Sequence, residues 1–148
     1  MDKDQLYWGM YQEHVTQARQ HENQRERMTS LVVGITTAAL AFAAQNGLTW
    51  TDLLLTVPLI PLGIFGAQFC RKHYERNRYH VSVSAAYLKN IDPSIYETRD
   101  RTKNIHDQDD KYKHIVPKRL NIFWERLHYA VAILGILVSL TIVGTQLV

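Results

Sequence analysis

The chain has 148 residues, with 17 Lys and Arg, 14 Asp and Glu and a formal net charge of +3, a length that allows one domain. Its single cysteine excludes an internal disulfide and a zinc site built from cysteine pairs. All basic residues lie in 1–30 or 71–126, and Asp52 is the only acidic residue outside those ranges. This segregation indicates basic segments that flank membrane spans and stay cytoplasmic, not a general affinity for nucleic acid.

Residues 4–28 form the first predicted element, an amphipathic helix. Its apolar side chains are spaced by three or four residues and therefore share one helix face. They are Trp8, Tyr11, Val15 and Ala18. Two partners remain open for this face, the protein's other cytoplasmic helices or a neighbouring subunit.

An apolar run from Met28 to Leu48 predicts the first membrane span. It is rich in small residues four apart, which let helices approach closely in lipid. We therefore expect helix packing or subunit contacts at Gly34, Ala38, Ala39 and Ala43. Asn46-Gly47 predicts a tight turn after the span.

The second apolar run, Leu53 to Cys70, contains Pro58 and Pro61. Each proline lacks an N–H, so each is predicted to kink the helix. Basic residues follow, and the helix is predicted to continue beyond the membrane to about Asn90. Asp92-Pro93 then predicts the end of that helix and the N-cap and first residue of another.

The segment from Ser94 to His114 is nearly all polar. It predicts a solvated helix, a loop or a partner surface that orders on contact. Pro117 is predicted to open the last helix, which becomes the uncharged run Tyr129–Val148. At about 1.5 Å per residue this run crosses a ~30 Å hydrocarbon core. Gly135 and Ser139 are predicted to meet the small-residue face of the first span.

The predicted architecture is an all-α integral membrane protein with three transmembrane helices and long cytoplasmic helical extensions. Its sections are a cytoplasmic amphipathic helix (1–28), a transmembrane hairpin (29–70), a cytoplasmic helical section (71–126) and a third transmembrane helix (127–148). The charge distribution predicts a cytoplasmic amino terminus and an external carboxyl terminus.

Four histidines are the most regular polar feature of the cytoplasmic sections. His14 and His21 are seven residues apart, and His73 and His80 repeat that spacing. If the two helices pair, the four imidazoles approach one another and form a polar cluster that titrates near neutrality. The spacing lacks the i, i+4 pattern of metal ligands, so no metal or cofactor is predicted.

Arg101 and His106 form the only candidate catalytic motif, Arg-x4-His. HEPN ribonucleases use such a motif across a dimer, where histidine moves a proton and arginine holds a phosphate. The sequence has no P-loop, GxGxxG, HExxH or GxSxG. The apolar runs carry no charge, which argues against a proton-coupled carrier but allows a pore lined by small and hydroxyl residues.

Two polar patterns ahead of the first span carry a family resemblance, YQEH at Tyr11–His14 and HENQR at His21–Arg25. With the short hairpin and the basic return helix, they make the chain similar to RipA-like octameric membrane proteins of bacteria. The layout also resembles the small membrane effector associated with type VI CRISPR systems. The resemblance implies a ring of identical subunits around a central opening, with Arg101 and His106 matching the effector's motif.

Three functions follow as hypotheses. The first is a non-enzymatic, homo-oligomeric inner-membrane protein, surrounded by lipid, that forms a pore-like or scaffold assembly with a cytoplasmic helical vestibule. The second is a defence or stress effector whose basic cytoplasmic part senses nucleic acid or a nucleotide. The third is an accessory subunit of another membrane complex.

Overall fold

The computed structural model describes residues 2–147, and every regular element among them is helical. The helices are α1 (Lys3–Gln45), α2 (Leu53–Thr56), α3 (Leu59–Ile91), α4 (Pro93–Gln108) and α5 (Leu120–Gln146), with a 3-10 turn at Trp50–Asp52. Three helical stretches are long and apolar enough to cross a membrane: Lys3–Gln45, Trp50–Ile91 and Leu120–Gln146. The predicted all-α class and the three candidate spans are therefore confirmed.

The chain divides into two compact units. The polar unit comprises residues up to Asn23 together with His73–Leu120, and the apolar unit comprises Gln24–Lys72 together with residues from Asn121 onward. The boundary between Asn23 and Gln24 lies inside α1, and the boundary between Lys72 and His73 lies inside α3. Each of these helices therefore contributes residues to both units. The predicted amphipathic helix and first span are thus a single helix of 43 residues.

One face of α1 supplies the core of the apolar unit. Its buried positions alternate by three and four residues, as one face of a helix requires. They are Arg25, Thr29, Val32, Thr36, Ala39 and Ala43. Val32 and Ala39 pack with Leu59 of α3 and Val131 of α5. These side chains come from three helices, so their close packing joins α1, α3 and α5 in one core.

The predicted turn after the first span is present and closes α1. The N–H of Gly47 donates to the carbonyl of Ala44, and the N–H of Leu48 donates to the carbonyl of Ala43. This is a Schellman cap, which requires a left-handed residue. Gly47 supplies it with φ 78°, and Leu48 follows with φ 60°.

Asp52 holds the loop that follows the cap. Although it carries a charge, its side chain is only 1% exposed. Its two carboxylate oxygens accept from the Asn46 amide at 3.0 Å and from the Thr49 N–H at 2.8 Å. A buried carboxylate with several donors is satisfied, so the only acidic residue of the hairpin has a structural role.

The two prolines of the second run have different effects. The helix is interrupted at Val57 and Pro58, between α2 and α3. Pro61 instead lies in the first turn of α3, where its missing N–H costs no intrahelical hydrogen bond. Position in the helix decides the outcome, and the residue type alone does not.

In the polar unit, Asp92 caps α4 as the sequence predicted. Its carboxylate accepts from the N–H of Ser94 at 2.8 Å and from the N–H of Ile95 at 3.4 Å. The predicted start of the last helix at Pro117 is wrong, because α5 begins at Leu120. The N–H of Lys118 donates to the carbonyl of Ile115 at 2.8 Å, so Pro117 belongs to the run of turns before α5.

Candidate functional site

The polar unit brings the four predicted histidines together. α1 and α3 run antiparallel there, and residues seven apart on one helix meet residues seven apart on the other. The facing pairs are Tyr7 with Tyr87, His14 with His80 and His21 with His73. A seven-residue period keeps one stripe of each helix on the same seam, which is why all three pairs form in one register.

The ring nitrogens of the two histidine pairs are within hydrogen-bonding distance. The Nδ1 atoms of His14 and His80 are 2.8 Å apart, and those of His21 and His73 are 3.0 Å apart. The ring centroids of His21 and His80 lie 5.4 Å apart, so the two pairs adjoin. The four rings form one cluster, which we call the histidine ladder.

Each ladder pair can hold one shared proton, and its chemistry follows from that. In the neutral state one Nδ1 carries a hydrogen and donates, and the other accepts with its lone pair. One further proton per pair makes an imidazolium that still donates to a neutral ring. A second further proton places two N–H groups and two positive charges face to face, which opposes helix pairing. The ladder is therefore built for partial protonation only.

The surroundings of the ladder favour the neutral form at His80. Burial, with the neighbouring His14, His21 and Arg76, lowers the pKa of His80 below its ordinary value of 6.5, while Glu13 acts in the opposite direction. Burial penalises the charged ring, and nearby positive groups repel a second charge.

Aromatic rings continue the ladder along the same seam. The ring of Tyr87 stacks on His14 with a centroid distance of 5.8 Å, and its other neighbour is Tyr7 at 5.7 Å. Among the described residues, no group of three or more His, Cys, Asp or Glu is arranged to hold a metal ion.

A second polar cluster lies in the apolar unit, where the sequence singled out no site. Thr29 of α1, Cys70 of α3 and His128 of α5 meet there, and all three are buried. The Nε2 atom of His128 lies 3.1 Å from the Thr29 hydroxyl and 3.3 Å from the Cys70 sulfur. The three side chains join three helices at one point.

The hydrogen bonds of Thr29 assign the ring proton of His128. The Thr29 hydroxyl donates to the carbonyl of Arg25 at 2.9 Å, so its oxygen is left to accept. The proton of His128 therefore lies on Nε2 and points at Thr29. The other nitrogen, Nδ1, is buried and has no hydrogen-bond partner, so this cluster is a neutral interhelical contact.

Two glycines of α3 make room for α5 at this point. A Cβ at Gly66 would lie 2.3 Å from the His128 Nδ1, and a Cβ at Gly63 would lie 2.6 Å from the backbone of His128 and Ala132. Real Cβ atoms do not approach so closely, so only glycine fits the present spacing of α3 and α5. These two glycines therefore form the contact between the two helices.

The small residues predicted to pack have mixed positions. Ala39 and Ala43 are buried, whereas Gly34 and Ala38 are exposed. Gly135 is buried, and a Cβ there would lie 3.0 Å from Leu59 and from the carbonyl of Thr56.

Ser139 lies near the same helix contact. Its hydroxyl is 2.8 Å from the Thr56 hydroxyl. Together with Gly135, it therefore meets the second span at Thr56 and Leu59. The contact with the Gly34–Ala43 face of the first span stays a prediction. Thr56 ends α2 and Leu59 begins α3, and both contact α5.

Arg101 and His106 lie on α4, and both are exposed. Five residues turn a helix by about 500°, so the two side chains leave α4 on different faces and do not converge within one chain. The His106 ring instead stacks on Tyr112, with centroids 4.9 Å apart.

Sequence reasoning missed the Thr29, Cys70 and His128 cluster. These residues are separated by 41 and 58 positions, and no local spacing links them. The only local signal is the pair of glycines at 63 and 66, which leaves space beside α3 for a large ring.

Comparison with known proteins adds no identity. No family model matches the chain, and neither a curated protein nor a solved structure matches it. The assignment of function therefore rests on the sequence pattern and on the geometry of the described residues.

Proposed function

We propose that the protein is a non-enzymatic, homo-oligomeric protein of the bacterial inner membrane that forms a pore-like or scaffold assembly. The assembly is made through the first span, and the polar unit forms the cytoplasmic vestibule. The support is one observation, the exposed small-residue face of α1.

That face lies opposite the buried face of the same helix. Its members are the exposed residues Ser30, Gly34, Thr37, Ala38 and Ala41. A Cβ placed on Gly34 would have open space within 4 Å. Each residue turns an α-helix by about 100°, so this face lies roughly 160° around the helix axis from Val32 and Ala39.

The physics of lipid favours a protein partner for such a face. Lipid tails pack no better against glycine and alanine than against leucine, whereas another helix approaches closely and gains dispersion and Cα–H···O contacts. Elsewhere α1 presents large exposed side chains, such as Leu31 at 56% and Phe42 at 61%, which suit lipid. A second copy of the chain is the partner that a homo-oligomer supplies.

The charge distribution supports the orientation. Thirteen of the 17 basic residues lie in 71–126 and four in 1–30. Basic segments near membrane spans tend to remain cytoplasmic, which puts the carboxyl terminus after α5 outside. A carboxyl-terminal alkaline phosphatase fusion should be active and the matching green fluorescent protein fusion dark. The reverse pattern would reject this orientation.

The native mass of the detergent-solubilised complex tests the assembly. We expect one multimeric species, and we expect Gly34→Leu and Ala38→Leu to shift it toward single chains. Ala130→Leu is the matched control, because Ala130 is an exposed small residue of α5. A single-chain mass for the unsubstituted protein in several gentle detergents would reject the assembly.

Liposomes separate a pore from a scaffold. A pore releases a trapped small dye at verified protein insertion, and Ala38→Leu should reduce the release by weakening the assembly. Intact liposomes that contain the multimer would leave the scaffold as the function.

A further inference from the structure

A basic cavity lies between α3 and α4 in the polar unit. Its volume is about 230 Å³, and its polar wall is formed by Arg78, Ser82, Tyr96, Arg99, Asp100 and Lys103. The positive groups outnumber the single carboxylate by three to one. All of these residues belong to the polar unit of one chain, so the cavity forms without a second subunit.

The two arginines are not neutralised by the protein. Neither Arg78 nor Arg99 forms an ion pair with another of the described residues, whereas Lys103 pairs with Asp107. A guanidinium donates through a planar fork that matches two oxygens of a phosphate or carboxylate. Two such groups beside a concave surface favour a multiply charged anion.

The remaining wall narrows the ligand class. The hydroxyl of Ser82 donates to the carbonyl of Arg78 at 2.9 Å, so its oxygen can only accept from a ligand. The carboxylate of Asp100 also accepts, and it repels a second anion. These two acceptors favour a ligand that carries hydroxyl groups beside its anion.

We propose that this cavity binds a small phosphorylated metabolite of the mononucleotide class. Its phosphate lies with Arg78 and Arg99, and its sugar hydroxyls donate to Asp100. Ligand pockets commonly reach about 300–1,000 Å³, so this smaller cavity holds one phosphate and one sugar. The site goes beyond the proposed assembly and does not depend on it.

Calorimetry with the full-length, detergent-solubilised protein tests the site with three probes: AMP, inorganic phosphate and adenosine. We expect saturable binding of AMP, weaker binding of phosphate and none of adenosine. Arg78→Gln and Arg99→Gln should each weaken AMP binding about tenfold, the loss of a charge-assisted pair. Arg119→Gln removes the same charge from an exposed residue outside the cavity and should leave binding unchanged.

Asp100→Asn gives a result that misfolding cannot produce. Removing the negative charge should strengthen the binding of inorganic phosphate and narrow its difference from AMP. Equal effects of Arg99→Gln and Arg119→Gln, or equal binding of adenosine and AMP, would overturn the proposal. Tighter binding of a 5′-phosphorylated oligonucleotide than of AMP would also overturn it in favour of nucleic acid.

Discussion

His14 and His80 face one another across α1 and α3 with their Nδ1 atoms 2.8 Å apart. Seven residues along each helix, His21 and His73 repeat the contact at 3.0 Å. The two adjoining pairs lie in one antiparallel register and place four imidazole rings on the seam between these helices.

Acid should destabilise the polar unit. Burial and neighbouring positive groups lower the pKa of His80 from 6.5, so below that value the unfolded chain binds more protons than the folded unit. The contribution of His80 to the free energy of unfolding is therefore fully present above about pH 6.5, and it is lost as the pH falls toward the lowered pKa. Urea unfolding followed by Trp8 fluorescence, with Trp50 and Trp124 replaced by Phe, measures this slope.

Substitution of one ladder pair should flatten that slope. His14→Gln with His80→Gln keeps polar side chains at both positions and removes the titrating rings, so less stability is lost between pH 6.5 and 5. His114→Gln is the control, because His114 is exposed in the turns after α4. Identical slopes in all three proteins would show that the ladder does not control the pH dependence.

Gly66→Ala should destabilise the apolar unit. The added Cβ would lie 2.3 Å from the His128 Nδ1, and overpacking of this kind costs about 1–3 kcal/mol. Gly144→Ala is the control, since a Cβ there meets nothing within 4 Å and alanine favours a helix. Thermal unfolding in detergent should show a lower midpoint for the first variant only.

A second substitution tests the cause of that loss. If the clash is with the His128 ring, Gly66→Ala combined with His128→Ala should lose less than the sum of the single losses. Additive losses would point to a clash elsewhere.

Thr29→Val should also weaken the apolar unit. It keeps the shape of the side chain and removes the oxygen that accepts from the His128 Nε2 at 3.1 Å. The buried donor is then left with only the Cys70 sulfur, a weak acceptor, at 3.3 Å. The expected loss is about 1 kcal/mol, as for buried interhelical hydrogen bonds in membranes. Thr141→Val is the control, because the Thr141 hydroxyl is exposed and donates to the Leu137 carbonyl of its own helix. Equal unfolding midpoints for the two variants would contradict this role.

Asp92→Ala should loosen the first turn of α4. Hydrogen bonds from Ser94 and Ile95 lower the pKa of Asp92, and the bond from the Ser94 hydroxyl has the largest effect. The stability that the ionised Asp92 cap contributes is present above the unfolded pKa of about 3.8, and it is lost as the pH falls through the lowered pKa. Amide exchange in residues 94–97 should become several-fold faster in Asp92→Ala.

Asp92→Asn distinguishes capping from charge. Asparagine is as good an N-cap as aspartate, so exchange should stay close to that of the unsubstituted protein at neutral pH. Fast exchange in both variants would show that the charge matters more than the accepting oxygen.

The local elements of this protein could be derived from its sequence, because each depends on neighbouring residues. Uncharged runs of about twenty residues predicted three spans, and Asp92-Pro93 predicted the cap of α4. The seven-residue spacing of His14 with His21, and of His73 with His80, placed each pair on one helix face. Such signals act within a few turns of helix.

Tertiary structure decided which faces meet. Only the antiparallel register of α1 and α3 pairs His14 with His80, and only the close approach at Gly63 and Gly66 brings His128 to Thr29 and Cys70. Gly135 lies against Thr56 and Leu59, on either side of the break at Pro58. These contacts join residues far apart in the chain, so they depend on the packing of whole helices, which local spacing does not specify.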